Sequence, residues 1–287
     1  MFATPALAHR IDLVEARLVH AIVARVQAAH PDVGAFAAPV AGGWALFAGL
    51  GNPVNKLIGA GFDAVPEPGA FEDVERAFAA RGSEVRAEVA TLARAETHEW
   101  LARRGYVLRG FENVLGRRLA RDLEPDREGP VAGSPSAPVP EIDVRAVEDG
   151  EVDAWVATVT AGFAAPDASG AGGDQPLPTG DALAAMMDDV FRASGCSRYL
   201  ARVNGEVAGG ASMRLDEGIA LLAGAATLPR FRRRGVQRAM LQARLADAAR
   251  GGCDLGVVVT QPGSTSQANV QRQGFSLLYA RAVLVKG

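Results

Sequence analysis

Seventeen residues from Glu124 to Pro140 (EPDREGPVAGSPSAPVP) hold five prolines with glycine and serine between them. Each proline fixes its own φ and removes a backbone donor, so neither a helix nor a sheet ladder passes through such a run. It reads as a semi-stiff linker. The 287-residue chain is thereby divided into a first part, 1–122, a linker, 123–140, and a second part, 141–287. Each flanking part is long enough to bury a core of its own.

The remaining composition narrows the classes. Apolar residues make up 48 % and charged residues 22 %, as in an ordinary folded protein. The net charge is −3, and positive charges outside one cluster are scattered, which argues against nucleic acid or anionic membrane as a partner. Cys196 and Cys253 form neither a metal-ligand spacing nor a disulfide framework, so no metal is expected and a reducing cytoplasm is the expected setting. His9, Arg10, Asp12, Glu15, Arg17 and His20 interrupt the opening residues, which therefore do not read as a secretory signal. No apolar stretch approaches the roughly 20 residues that span a bilayer.

In the first part, Ile11, Val14, Leu18 and Ile22 recur at helical spacing. Trp44 to Leu50 reads as a strand, Pro68 to Arg81 as a helix and Glu84 to Ala90 as a strand. Thr91 to Arg104 is a helix stopped by Gly105, and Val107 to Leu119 is extended. Trp44, Trp100 and Phe111 are expected in the core of this part. In the second part, Ile142 to Val147 is a strand, and Val152 to Phe163 and Asp181 to Ala193 are helices. A Gly/Pro-rich loop, Ala164 to Gly180, runs between those helices and reads either as a gating lid or as a disordered surface insertion. Asn204-Gly205 joins two strands and favours a type I′ turn. Then follow a strand (Ile219 to Thr227), a helix (Gly235 to Arg250), a strand (Leu255 to Thr260), a helix (Ser264 to Gln273) and a strand (Ser276 to Lys286). This pattern predicts an α/β (α+β) fold with a mixed sheet flanked by helices.

The two parts end alike. Arg104-Gly105-Tyr106-Val107-Leu108 resembles Gln273-Gly274-Phe275-Ser276-Leu277, and nine residues after each glycine comes Val-Leu, at Val114 and Val283. A strand and a helix precede each glycine, which suggests a diverged internal repeat.

The segment richest in chemistry is Ile219 to Arg238, IALLAGAATLPRFRRRGVQR. An apolar strand runs into Pro229, arginines follow at 230, 232, 233 and 234, and Gly235 opens a helix. A helix start offers unpaired N–H groups and partial positive charge. Glycine admits close approach of a ligand, and guanidinium groups add donors. Together these suit a phosphate or diphosphate.

Arg232-Arg233-Arg234-Gly235-Val236-Gln237 resembles the acyl-CoA signature Q/R-x-x-G-x-G/A of the GCN5-related N-acetyltransferase (GNAT) superfamily. Arg232 and Gly235 match, whereas Gln237 stands where that family has a small residue. The order hairpin, strand, signature, helix, strand, helix, Gly-Phe, strand is also the family's, over about Ile142 to Lys286. The resemblance implies the acyl-CoA N-acyltransferase fold in the second part. It implies a degenerate GNAT-like domain in the first, where Gly51-Asn52-Pro53-Val54-Asn55-Lys56 replaces the signature, and hence two tandem GNAT-like domains.

It further implies an N-acetyltransferase that moves an acetyl group from acetyl-CoA to the primary amine of a small molecule or peptide by direct attack on the thioester. Arg232, Arg233, Arg234, Gly235, Val236, Gln237 and Arg238 would hold the diphosphate. Backbone groups of Ala225, Ala226 and Thr227, with Ser266 and Asn269, would hold the pantetheine arm. The family's tyrosine position falls on Val270, which leaves Tyr279 as the candidate acid. No histidine lies after the linker, and Asp216 and Glu217 read as a solvated turn. Cys253 reads as a small buried residue and Ser264 as a helix cap. Two other readings stay open: an acyl-CoA-binding pseudoenzyme or sensor, and an interaction protein using the Arg230–Arg238 basic surface. A homodimer is also left open.

Overall fold

The computed structural model describes residues 2–119, 141–165, 180–192 and 195–286. The linker and residues 166–179 of the Gly/Pro-rich loop, with Asp167 and Asp174, lie outside them. In chain order the elements are α1 (Pro5–Ala29), β1 (Phe36–Val40), β2 (Gly43–Phe47), β3 (Lys56–Ile58), α2 (Pro68–Ala79), β4 (Arg86–Ala90), α3 (Ala95–Arg103) and β5 (Tyr106–Arg118). They continue as β6 (Ile142–Ala146), α4 (Val152–Ala164), α5 (Gly180–Arg192), β7 (Ser197–Val203), β8 (Glu206–Asp216) and β9 (Ile219–Thr227). The last are α6 (Val236–Arg250), β10 (Leu255–Thr260), α7 (Thr265–Arg272) and β11 (Ser276–Lys286).

These elements gather into two compact units that interleave along the sequence. The first comprises residues 1–116, 167–195 and 257–287; the second comprises 117–166 and 196–256.

In the first unit the strands run β1-β2-β3-β4-β11-β5-β10. The pairs β1–β2, β2–β3, β4–β11 and β11–β5 are antiparallel, and β3–β4 is parallel. The strand beside β4 is thus β11 and not the next strand in sequence, β5. The paired strands β5 and β11 are the two ends that the internal similarity picked out. Each follows a helix and a left-handed glycine, Gly105 (φ +87°) or Gly274 (φ +80°). They lie antiparallel, with Arg281 opposite Glu112 and Lys286 opposite Tyr106.

Helix α1 starts at Thr4, whose hydroxyl accepts the Leu7 N–H at 3.2 Å, and Pro5 needs no donor there. Its buried stripe includes Ile11, Val14, Val19, Ile22 and Val26, so the apolar spacing that predicts the helix is also its packed face. A second core forms from Phe47, Phe71, Phe78, Leu101 and Tyr106. Trp44 and Trp100 pack against the two cores. Phe111 departs from expectation: it is 47 % exposed, because the alternation of β5 turns it outward. Two short strands, β1 and β3, lie where no strand was expected.

The same stripe of α1 carries a buried ion network. Arg281 is fully buried and donates from Nε and Nη2 to Asp12 Oδ1 (3.0 and 2.7 Å) and from Nη1 to Glu15 Oε2 (2.7 Å). Lys56 Nζ reaches Glu15 Oε1 at 3.1 Å and Glu88 Oε2 at 2.7 Å. Glu112 lies 3.6 Å from Arg281. Burial alone would raise the Glu15 carboxyl, but Arg281 and then Lys56 hold it down at about 2. Glu112 goes the other way, to about 7, through burial first and the Glu88 charge second.

A pH-dependent stability follows. A free glutamate ionises near about 4.3. The folded chain keeps Glu112 protonated to about pH 7, so ionising it costs the folded state progressively as pH rises between those values. Glu112→Gln is expected to stabilise the protein by about 1–3 kcal/mol above pH 7 and to have little effect below about pH 4. Urea unfolding at the two pH values checks this, and an equal effect at both would reject it.

In the second unit the strands run β9-β8-β7-β6, all antiparallel. Asn204 (φ +50°) and Gly205 (φ +85°) form the hairpin turn between β7 and β8. Helices α4 and α6 cover the sheet. Gly210 abuts Val159 and Trp155 of α4, whereas its neighbour Gly209 abuts Met240 and Val236 of α6. Successive residues of a strand point to opposite faces, so the two helices lie on opposite faces. The core holds Ala201, Val203, Ala208, Ala211, Phe231, Val236 and Met240.

Candidate functional site

Strand β9 ends at Thr227, and the Leu228 N–H donates to Ala208 O at 2.9 Å. Pro229 opens one 3₁₀ turn ending at Phe231, which is buried. The guanidinium groups of Arg230 and Arg234 stand 4.7 and 5.7 Å from the Phe231 ring centroid. Arg230 also pairs with Glu206 at 3.2 Å. Arg233 (φ +61°) and Gly235 (φ +87°) are both left-handed, so the chain reverses sharply into α6.

Gly235 is the cap residue of α6 and supplies no side-chain acceptor. The first backbone bond over the cap is Ala239 N–H to Gly235 O at 3.0 Å. The N–H groups of Val236, Gln237 and Arg238 therefore face outward from the first turn, as at any helix start. Arg233, Arg234, Gly235 and Arg238 are exposed, Gln237 is half-buried and the Val236 side chain sits in the core. This arrangement presents amides and cationic groups together at an accessible turn, which suits a dianion.

Arg232 differs from its neighbours. Its Nε donates to Thr227 O at 3.3 Å, and its Nη2 donates to Gly162 O at 3.4 Å and to Ala165 O. The side chain thus covers the C-terminal carbonyls of α4 and ties that helix to the end of β9. The signature resemblance singles out Arg232 among the arginines, but nothing in the sequence shows that its side chain turns inward to these carbonyls.

A bulge interrupts β9 just before its end. Gly210 pairs with Ala226, but Ser212 pairs with Ala223, so one extra residue lies on β9. Gly224 (φ +58°) makes the irregularity. Three side chains satisfy carbonyls beside it. Trp155 Nε1 donates to Ala211 O (3.2 Å), Ser212 Oγ to Ala223 O (3.0 Å) and Arg244 Nη1 to Ser212 O (2.9 Å). Gly162 of α4 approaches so closely that an added Cβ would lie 2.6 Å from Ala226 Cβ. The Thr227 hydroxyl is buried and has no hydrogen-bond partner among the described residues.

The other expected site residues belong to the first unit. Ser264 caps α7 by accepting the Gln267 N–H at 3.2 Å. Ser266 is exposed, and Asn269 Oδ1 accepts from Arg272 Nη1 at 2.8 Å. Val270 is buried. Tyr279 is buried and donates to Asp12 Oδ1 at 2.5 Å. Burial and the adjacent Asp12 charge push its phenol well above the usual range, so it holds its proton in the ion network. Cys253, in the second unit, is buried and its thiol is pushed up by burial. Asp216 pairs with Arg214 at 3.4 Å, and Glu217 sits in a left-handed turn (φ +48°). Among the described residues no His/Cys/Asp/Glu group could hold a metal, and no helix is long and apolar enough to cross a membrane.

Comparison with known proteins adds to this geometry. The model of the Acetyltransferase (GNAT) family matches residues 172–275. No curated protein matches the sequence. A solved GCN5-related N-acetyltransferase from Kribbella flavida is similar over 98 % of this chain and 95 % of its own, with 19 % identity and a TM-score of 0.62. One from Sphaerobacter thermophilus is similar over 76 % of this chain and 67 % of its own, with 15 % identity and a TM-score of 0.51. A tandem GNAT protein from the clavulanic acid biosynthesis pathway is similar over 76 % and 68 %, with 14 % identity and a TM-score of 0.50. These likenesses establish the fold.

Proposed function

We propose, from the premise that residues 172–275 carry a GNAT-family acetyltransferase domain, that this acyltransferase moves the acetyl group of acetyl-CoA to a primary amine. The observation that carries the reading is the start of α6, where Gly235 provides no cap and exposed arginines flank the first-turn amides. The coenzyme diphosphate would rest on the N–H groups of Val236, Gln237 and Arg238, with charge from Arg233, Arg234 and Arg238. Arg232 would shape this turn from beneath. Backbone groups of Ala225, Ala226 and Thr227 would pair with the pantetheine arm.

The amine lone pair attacks the thioester carbonyl carbon, forming the C–N bond and placing negative charge on oxygen. An N–H donor facing that oxygen stabilises it. Collapse breaks the C–S bond, the electron pair leaves with sulfur, and the amine proton passes to water. A thiol with a pKa of about 8.5 leaves without an acid, so Tyr279 has no part in this scheme.

Titration calorimetry with acetyl-CoA tests the reading. Binding in the range of about 1 μM to 1 mM is expected, since coenzyme sites work near their cellular ligand levels. It should weaken as salt screens the arginines. No heat at millimolar ligand would reject it and leave the basic surface to an acidic protein partner. Thiol release on an amine panel is the second measurement. Binding without release on any amine would favour a coenzyme sensor.

A further inference from the structure

Arg244 is a cation inside the second unit that the proposed chemistry does not use. It lies on α6, is 2 % exposed, and has no carboxylate within ion-pair distance among the described residues. Backbone carbonyls alone satisfy it. Nε donates to Met240 O at 3.1 Å, and Nη1 donates to Ser212 O at 2.9 Å and Ala223 O at 3.5 Å. Ser212 and Ala223 are the pair that closes the β9 bulge. Burying a cation with neutral partners is costly, and an apolar residue on α6 would serve packing better. What the guanidinium does that an apolar side chain cannot is hold two carbonyls of different strands at one point, where the extra residue of β9 disturbs the ladder.

We propose that Arg244 is a positioning residue for acyl transfer, fixing the β9 bulge in the shape that presents Ala225, Ala226 and Thr227 to the thioester arm. The inference rests on the assignment of those residues to the coenzyme. The bulge lies one residue before Ala225, and Gly224 holds a left-handed backbone there. Trp155 and Ser212 hold the neighbouring carbonyls but are neutral. Arg244 alone adds a fixed charge. Its donation to Ala223 O polarises the Ala223–Gly224 peptide and so strengthens that peptide's N–H as a donor.

The test uses acetyl-CoA calorimetry on the full chain with two variants. Arg244→Met keeps volume and removes the charge; its dissociation constant is expected to rise about tenfold, as for one lost charge-assisted hydrogen bond. Arg244→Lys separates charge from mere filling. Burial already lowers the arginine to about 10, and the titratable group facing it is Tyr199 of β7, whose hydroxyl donates to Asp247 Oδ2 of α6. A lysine there should lose its proton far below its usual value of about 10.4. Arg244→Lys is therefore expected to bind near wild-type strength at about pH 6 and to weaken by about pH 9, more than wild type does over the same range. Wild-type affinity in Arg244→Met overturns the proposal. So does an Arg244→Lys affinity that follows wild type across this range, which decides the matter if the methionine variant does not fold. A wild-type protein that binds no acetyl-CoA would reject the coenzyme assignment itself.

Discussion

Arg281→Met is expected to lower the unfolding free energy by about 3–5 kcal/mol, the cost of removing one partner from a buried ion group. The residue is fully buried on β11, and its guanidinium serves Asp12 and Glu15 of α1 at 2.7 Å each. Glu112 and Glu88 stand 3.6 and 4.0 Å away. Removing Arg281 leaves Lys56, at 3.1 Å from Glu15 and 2.7 Å from Glu88, and Arg86, at 3.4 Å from Glu88, beside these four carboxylates, while Asp12 loses its cation. Asp12 is fully buried, and one of its oxygens already lacks a hydrogen-bond partner. Adding Asp12→Asn to the Arg281→Met protein should recover part of the loss, because the orphaned charge is then gone. Denaturant unfolding measures both. A loss under about 1 kcal/mol, the level of an exposed pair, would show that the network does not hold α1 to the sheet.

Gly235→Val should weaken acetyl-CoA binding at least about 100-fold, the effect of losing two charge-assisted hydrogen bonds. An added Cβ would meet only Ile142 Cδ1, at 3.6 Å, so space is not the obstacle. The backbone angle is: φ of +87° is open to glycine, whereas a β-branched residue is strongly disfavoured there. Valine would relax by turning the peptide that leads into α6, and so re-aim the first-turn amides. The cost to folding should stay near about 1–2 kcal/mol, so the melting temperature separates lost binding from lost structure. A folded variant with unchanged affinity would move the diphosphate away from α6.

Much of this was readable in advance because local signals agreed. Strands β9, β10 and β11 begin and end where their apolar runs do, and Asn204-Gly205 turns as its residue types require. Strands β1 and β3 escaped notice because they are short and carry Pro39 and Lys56, residues that read as loop. In β3 Lys56 pairs with Leu46 of β2, and Glu15 and Glu88 receive its buried charge. Phe111 misled for a related reason: an aromatic residue suggests a core, yet strand alternation decides the side. Partners in the ion network are too remote for periodicity to detect. Arg244 had a faint signal, four residues after Met240 and beside Leu245 on the inner side of α6, where a charge is out of place.

The placement of β11 bears on how the protein is made. Asp12 and its cation Arg281 are 269 residues apart. At ribosomal speeds of about 5–20 residues per second, α1 waits on the order of tens of seconds before its counter-charge is synthesised. Through that interval β4 and β5 lack the strand that lies between them, and their unpaired edges are open to wrong partners. Until β11 is made and seated, the final stability of the fold offers those edges no protection, so mispairing is a hazard of the interval of synthesis.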